Sequence, residues 1–334
     1  MGGAGSGSQG ADKRPTESVA DVPTCPMKSL PLLAALALLP VAFAETRIAF
    51  QPVPVHSTDK SNLFVIDVET EGRPARFLLD TGCAYSLAYD TGFIKSLGKE
   101  LEETGEARGA GGKATRYSAA ISKTVIGGRI ELGSQPKATV IPVDHLDHLT
   151  VGGEPADISG LMGSSLLRKV RAVFDYGGSR LLLPSTDAPA GTYTTAMKQQ
   201  GATVVPLEEG RFGFPYVVLE LEGKEFAFLL DTGANANIIE PAIAEELELE
   251  AVDGTSTVRG MHKTGGVPKF RAEDVGLGDA FVLDKLVFTA MATQAGLQED
   301  DGPRLGGVFG TPVLKQLNAR IDFDSNTLIL PAKE

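Results

Sequence analysis

The sequence predicts an all-β protein of two lobes related by a pseudo-twofold axis, with a few short helices. Three observations predict it. A hexapeptide recurs letter for letter 151 residues apart, as Phe77-Leu78-Leu79-Asp80-Thr81-Gly82 and Phe228-Leu229-Leu230-Asp231-Thr232-Gly233. Apolar runs of strand length alternate with Gly turns in both halves, while helical spacing is rare and brief. The chain has 334 residues, enough for a core in each half.

Residues 1–26 are rich in Gly, Ser and Ala and read as a disordered extension or a mis-assigned start. Residues 27–44 read as a signal peptide. Lys28 gives it a positive start, and Leu30 to Val41 an apolar run too short to span a bilayer. Ala42-Phe43-Ala44 supplies a small-x-small cleavage site. The residue directly after that site is Glu45 and not a cysteine, so no lipid anchor is expected. The expected location is periplasmic or extracellular, with no stable membrane insertion after cleavage.

Residues 45–184 are expected to form the first lobe, 185–200 a linker and 201–334 the second lobe. Leu63 to Thr70 and Tyr216 to Glu222 each run into a Gly turn and then an apolar strand ending at the repeated Asp, which is a hairpin pattern. Ser118 to Ile126, Ala138 to Val143 and Lys285 to Met291 are further strand candidates. The repeat continues in Arg108-Gly109, matched by Arg259-Gly260. Gly160-Leu161-Met162-Gly163 then pairs with Gly307-Val308-Phe309-Gly310, now 147 residues apart. Phe174-Asp175-Tyr176 pairs with Ile321-Asp322-Phe323 at the same spacing, so the first lobe holds four extra residues before Gly160. Thr311-Pro312 reads as a helix start with Thr311 as N-cap, and Ser164 or Ser165 as the cap of the matching helix.

Composition excludes several classes of function. The net charge is −12, and removal of residues 1–44 takes three charges of each sign and leaves it unchanged. Nucleic acids and anionic membranes need basic patches, so neither is expected as a main partner. Beyond residue 44 the one cysteine is Cys83, so an internal disulfide is impossible there. His145-Leu146-Asp147-His148, with Asp144, has the look of a metal-ligand cluster but no further ligand nearby. It is expected to be a solvated loop, with no metal and no cofactor.

Asp80 and Asp231 carry the chemical argument. Each ends an apolar strand, and a buried acid there is costly without a partner. If the two copies pack about a twofold axis, each acid is the other's partner. Two carboxyls sharing a site hold one proton between them. One can activate a water as a base while the other protonates a carbonyl oxygen, which is amide hydrolysis without a metal or covalent intermediate. Gly82 and Gly233 let the backbone turn closely beside the acids. The hydroxyls of Thr81 and Thr232 can lock the loops together across the axis. A third copy, Asp90-Thr91-Gly92, precedes helical spacing and aligns with Pro241, so Asp90 is expected to cap a helix.

The combination of apolar-apolar-Asp-Thr-Gly, a Gly-rich turn, and apolar-apolar-Gly before a short helix resembles the retropepsin-like aspartic peptidases. The resemblance covers about Leu63 to Pro184 and Tyr216 to Pro331. It implies two β-barrel lobes with the acids at their interface, a peptide or protein substrate, and hairpin flaps over a cleft. Both halves lie in one chain, so dimerisation is not required. By motif it makes Asp80 and Asp231 the catalytic dyad, with Thr81, Gly82, Thr232 and Gly233 in support. Gly163 and Gly310 close the segments that pack beneath the acid loops. Gly109, Gly111, Gly112, Gly260 and Met261 are the flap candidates, and a mobile surface turn is the plainer reading of both sites.

The sequence also departs from that pattern. Cys83 stands where Ala or Ser is usual, either as a small buried thiol or as a redox-sensitive one. Asn235 and Asn237 replace hydroxyl or acidic residues. The leading expectation is an exported aspartic endopeptidase. The alternatives are a peptide-binding module that keeps the fold without the chemistry, and a hydrolase of isopeptide or peptidoglycan amide bonds.

Overall fold

A computed structural model of the chain describes residues 50–109, 112–185, 187–259, 263–293 and 303–332. The 1–26 extension and the 27–44 signal peptide lie outside these residues. Each repeated Asp follows or ends one arm of a hairpin. Arg73–Leu79 pairs antiparallel with Phe64–Thr70, and Lys224–Asp231 with Pro215–Leu221. The turns are Glu71-Gly72 and Glu222-Gly223, with φ between 48° and 74° at all four residues. Positive φ at both central positions matches the twist of the flanking strands, and Gly adopts it without strain.

The acid strand next pairs in parallel with Ile158–Met162 in lobe 1 and Leu305–Gly310 in lobe 2. Those pair antiparallel with the strands that follow the acid turns, Leu87–Asp90 and Ile238–Ile239. Gln135–Ile141 and Phe281–Ala290 come next, then Gly112–Ile121 and Lys263–Leu277. In lobe 2 the last strand returns to Pro215–Leu221 and closes a six-strand barrel. In lobe 1 the closing contact comes from Thr124–Ile126, paired with Phe64–Thr70. The strand expected over 118–126 is therefore broken at Ser122 and Lys123, where the Glu71 carboxylate accepts the Ser122 N–H.

Side-chain alternation divides each lobe into two faces. Phe77, Leu79, Phe228 and Leu230 share one apolar core that runs through both lobes. Leu78 and Leu229, on the acids' side of their strands, sit in separate clusters. Burial of each such Leu or Phe contributes roughly 1.5–3 kcal/mol.

A six-stranded sheet joins the lobes, which belong to one compact unit. Phe50–Pro54, Arg180–Pro184 and Val173–Asp175 come from the first lobe. Arg320–Asp322, Thr327–Leu330 and Thr203–Pro206 follow from the second. At its centre Phe174 faces Ile321 in an antiparallel pair, so the pseudo-twofold axis passes between residues already matched in sequence. Buried Asp175 takes Arg180 at 2.9 Å from its own lobe and Arg320 at 3.3 Å from the other.

The short helices Ser164–Lys169 and Thr311–Gln316 each send a cation across the junction. Arg168 donates to the Gly213 carbonyl. Lys315, at the equivalent position, donates to Asn62 Oδ1 at 2.9 Å and Ser57 Oγ at 3.2 Å. The stretch read as a linker holds a third helix, Thr192–Gln199. It is ordered because Tyr193 buries edge-on against Phe50 at 5.2 Å and Thr194 donates to Asp322 at 2.6 Å. No helix among the described residues is long and apolar enough to cross a membrane.

Candidate active site

The parallel pairing of each acid strand places Asp80 and Asp231 at equivalent ends of the two lobes. The Asp80 N–H donates to the Met162 carbonyl at 3.0 Å, and Asp231 sits in register with Gly310. Both chains then turn sharply. The Cys83 N–H donates to the Asp80 carbonyl at 3.0 Å, and the Ala234 N–H to the Asp231 carbonyl at 3.3 Å.

The threonines tie the two turns together. Thr81 Oγ1 donates to the Leu230 carbonyl at 2.5 Å and accepts from the Thr232 N–H at 3.0 Å. Thr232 Oγ1 donates to the Leu79 carbonyl at 2.8 Å and accepts from the Thr81 N–H at 3.1 Å. Both side chains are buried, so all four partners depend on these bonds.

That junction brings the acids together. Gly82 lies so close to the Asp231 carboxyl that a Cβ there would stand 2.7 Å from Oδ2. Gly233 lies equally close to Asp80, 2.7 Å from its Cγ and Oδ1. Only glycine fits either place, since real Cβ atoms do not approach within 3.0 Å. The carboxyls themselves are half-buried.

Burial raises the pKa of both acids, and the two then differ. Asp80 goes well above the usual carboxylate range, because the charge of Asp231 and the hydrogen bond between the two side chains add to the burial. For Asp231 burial is opposed by the Gly233 N–H at 2.8 Å, by the bond to Asp80, and by the N–H groups of Gly82 and Ala234. The pair therefore shares one proton, and the two carboxyls titrate as a unit.

The supporting layer is less symmetric. Gly163 and Gly310 pass so close to the carbonyls of Tyr85 and Ala236 that no side chain fits. These glycines, and not Ser164 or Thr311, are the N-caps of the two short helices. The hydroxyls are used elsewhere. Ser164 donates to Gly213 O of the other lobe at 3.0 Å, and Thr311 to the Thr232 carbonyl at 3.1 Å. Asn237 accepts the Gly310 N–H at 2.9 Å and so braces the lobe 2 segment, while Asn235 is exposed. Nothing in the tripeptides signals these contacts, although extending the 147-residue register would have paired Arg168 with Lys315 and Ser164 with Thr311.

Gly109 and Gly112 face each other at the end of a hairpin built from Glu102–Gly109 and Gly112–Ile121. Gly111 lies outside the described residues. Close to its tip the hairpin meets the acid-bearing face, where Ala107 buries with Leu78 and Cys83. Arg116 also reaches Tyr85 Oη at 3.4 Å. In lobe 2 Glu250–Arg259 pairs with Lys263–Leu277. Gly260 and Met261 lie outside the described residues.

Asp90 caps the helix Thr91–Ser96 through Phe93 N–H at 2.8 Å. It also takes the Val143 N–H at 3.2 Å, so its place is in the scaffold. Cys83 is buried, and burial together with the charge of the neighbouring acid pair pushes its thiol far up, which leaves it protonated and unreactive. Asp144–Leu146 forms a 3-10 turn. Among the described residues no group of three His, Cys, Asp or Glu side chains converges to hold a metal. The 144–148 stretch is not wholly solvated as expected, since Leu146 is buried.

A solved structure, a retropepsin-like aspartic protease from Rickettsia conorii, is similar over 39% of this chain and 96% of its own, at 18% identity and a TM-score of 0.29. No curated protein matches the sequence. The aspartyl protease family matches twice, over residues 66–166 and 217–313. One stretch falls in each lobe and holds one of the paired acids, and the chain belongs to the aspartyl protease family.

Proposed function

We propose that the protein is an exported endopeptidase in which Asp80 and Asp231 act as one general acid–base dyad. Membership of the family makes it a peptidase with a peptide substrate. The observation that carries the two-acid reading is the mutual approach of the turns, with Gly82 against the Asp231 carboxyl and Gly233 against that of Asp80.

In this reading a water binds between the carboxyls. Charged Asp231 takes a proton from it as the water oxygen attacks the peptide carbonyl carbon. Asp80 gives its proton to the carbonyl oxygen, and a neutral tetrahedral diol forms. Asp231 then returns its proton to the amide nitrogen, the C–N bond breaks, and Asp80 regains a proton from the collapsing diol. No covalent enzyme intermediate forms. The cross-lobe threonine bonds fix both acids before substrate arrives, so little reorganisation remains for the chemical step.

Asp80→Asn and Asp231→Asn, each alone, are expected to remove cleavage of a mixed peptide library while leaving the circular dichroism spectrum native. Retained hydrolysis in either folded variant overturns the dyad. Peptide binding without turnover by the unmodified protein, from acidic to neutral pH, favours a binding module instead. Export is read from Lys28, the apolar run and the Ala42-Phe43-Ala44 site. Cell fractionation with N-terminal sequencing checks it, with Glu45 as the expected first residue.

A further inference from the structure

The face of lobe 1 that bears Asp80 is filled by the protein itself. Leu78 stands two residues before Asp80 on the same side of the strand. Leu161 is its neighbour in register on the parallel strand. Leu78, Leu161, Cys83 and Ala107 are buried in one cluster with Leu146 and Leu149. The last two come from the 142–157 segment, whose charged residues Asp144 and Asp147 stay exposed while its leucines turn inward.

That segment is fixed in place. The Leu146 N–H donates to Val143 O at 2.8 Å, Leu149 N–H to Leu146 O at 2.9 Å, and Ala156 N–H to Leu149 O at 2.9 Å. The Asp59 carboxylate clamps its tip, accepting the N–H groups of Gly152 and Gly153, each at 2.9 Å. Asp59 N–H also donates to Thr150 O at 2.9 Å. A lid has few such bonds; this is a built wall. Lobe 2 lines its acid-bearing face differently, with Leu229, Val308 and Ala234 beside Phe214, Tyr216 and Met291.

We propose that Leu146 and Leu149 are specificity-determining residues. They close the apolar wall beside Asp80, so that the substrate side chain held by lobe 1 at the scissile bond is small and apolar, of the Ala or Val class. Discrimination acts by exclusion: a large side chain meets leucines that cannot move aside. The inference rests on the peptide-hydrolysis reading above, and it concerns one of the two positions that flank the cleaved bond.

The test is a peptide library varied at both flanking positions, cleaved by the full protein and by Leu146→Ala, Leu149→Ala and the double variant. The unmodified protein is expected to prefer Ala or Val over Phe at one flanking position by about tenfold or more, the scale that small differences in an apolar pocket produce. The Ala variants are expected to raise kcat/KM for Leu and Phe at that position about tenfold, with the other position unchanged. Leu146→Val and Leu149→Val, which disturb folding less, are expected to shift the preference the same way by a smaller factor. Folded variants whose preferences match the unmodified protein overturn the proposal and leave hydrolysis standing. So does a parent enzyme that prefers Phe at both positions. Absence of cleavage of every peptide by the unmodified protein overturns the hydrolysis reading, and this inference with it.

Discussion

Thr81 and Thr232 exchange the same two bonds in both directions: each hydroxyl accepts the other's N–H and donates to the carbonyl two residues before it. Thr81→Ala leaves the Thr232 N–H and Leu230 carbonyl buried without partners. Such groups cost roughly 1–3 kcal/mol each. Denaturant unfolding is expected to show a loss of that order for Thr81→Ala and for Thr232→Ala. The double variant is expected to lose less than the sum, because both residues serve one network. Thr81→Ser keeps the hydroxyl and most of the stability. A Thr81→Ala variant as stable as the parent contradicts this account.

The dyad links stability to pH. The carboxyls of Asp80 and Asp231 have folded pKa values above the usual 3.8. A raised carboxyl stabilises the fold fully below the unfolded value, and that contribution is lost as pH rises through the folded value. Asp80→Asn removes one of the two raised carboxyls. Above pH 3.8 the variant is expected to melt higher than the parent, by about 2–4 °C per kcal/mol, with the gap closing at lower pH. Activity follows the same pair: its pH profile is expected to be bell-shaped, rising as the dyad loses its first proton and falling as it loses the second. Thermal melts and a kcat–pH profile measure the two effects. A parent that is more stable than Asp80→Asn at neutral pH contradicts the burial argument.

Cys83 is expected to resist alkylation at pH 8 in the folded protein and to react on unfolding, since burial and the neighbouring Asp80 hold it as a thiol. Mass spectrometry after iodoacetamide reads this directly. Rapid labelling of the native chain would show a thiolate and revive the redox reading. Cys83→Ala is expected to keep the fold, because Ala234 fills the matching place in lobe 2.

Arg168 and Lys315 hold equivalent places with different chemistry. Arg168 is half-buried and bonded to Gly213 O and, at 3.4 Å, to Asn326 Oδ1. Lys315 lies 5.8 Å from the Phe64 ring centroid as well as bonding Asn62 and Ser57. Lys315→Met keeps the apolar stem and is expected to cost about 1 kcal/mol through the lost cation–π contact and hydrogen bonds. Arg168→Met is expected to cost more, since the Arg168 side chain, 17% exposed, reaches Gly213, Asn326 and Glu209 of lobe 2. Equal costs in urea unfolding would show that burial is not what separates them.

Much of this site is legible in the residues because it is local. The repeated Asp-Thr-Gly, its preceding apolar strand and the Glu-Gly turns are contiguous, and each imposes its own backbone geometry. Asp90 is equally readable, since its tripeptide leads into helical spacing instead of following an apolar strand. Contacts made over long sequence separations are not readable in the same way. The diversion of Ser164 and Thr311 from capping to cross-chain bonds depends on carbonyls 49 and 79 residues away. The 144–148 stretch reads as solvent-loving because four of its five residues are polar or ionisable. Its structural role lies in Leu146, and in Leu149 just beyond, which no periodic pattern announces.

The sheet that joins the lobes has a consequence for the chain as a whole. Each half supplies three strands and leaves one of them, Val173–Asp175 or Arg320–Asp322, waiting for its counterpart. A polypeptide severed between Pro184 and Thr203 would yield two fragments with naked inner edges, and naked edges recruit whatever strand fits. The pseudo-twofold makes a second copy of the same fragment nearly as good a fit as the native mate. Covalent continuity is therefore what enforces the unlike pairing.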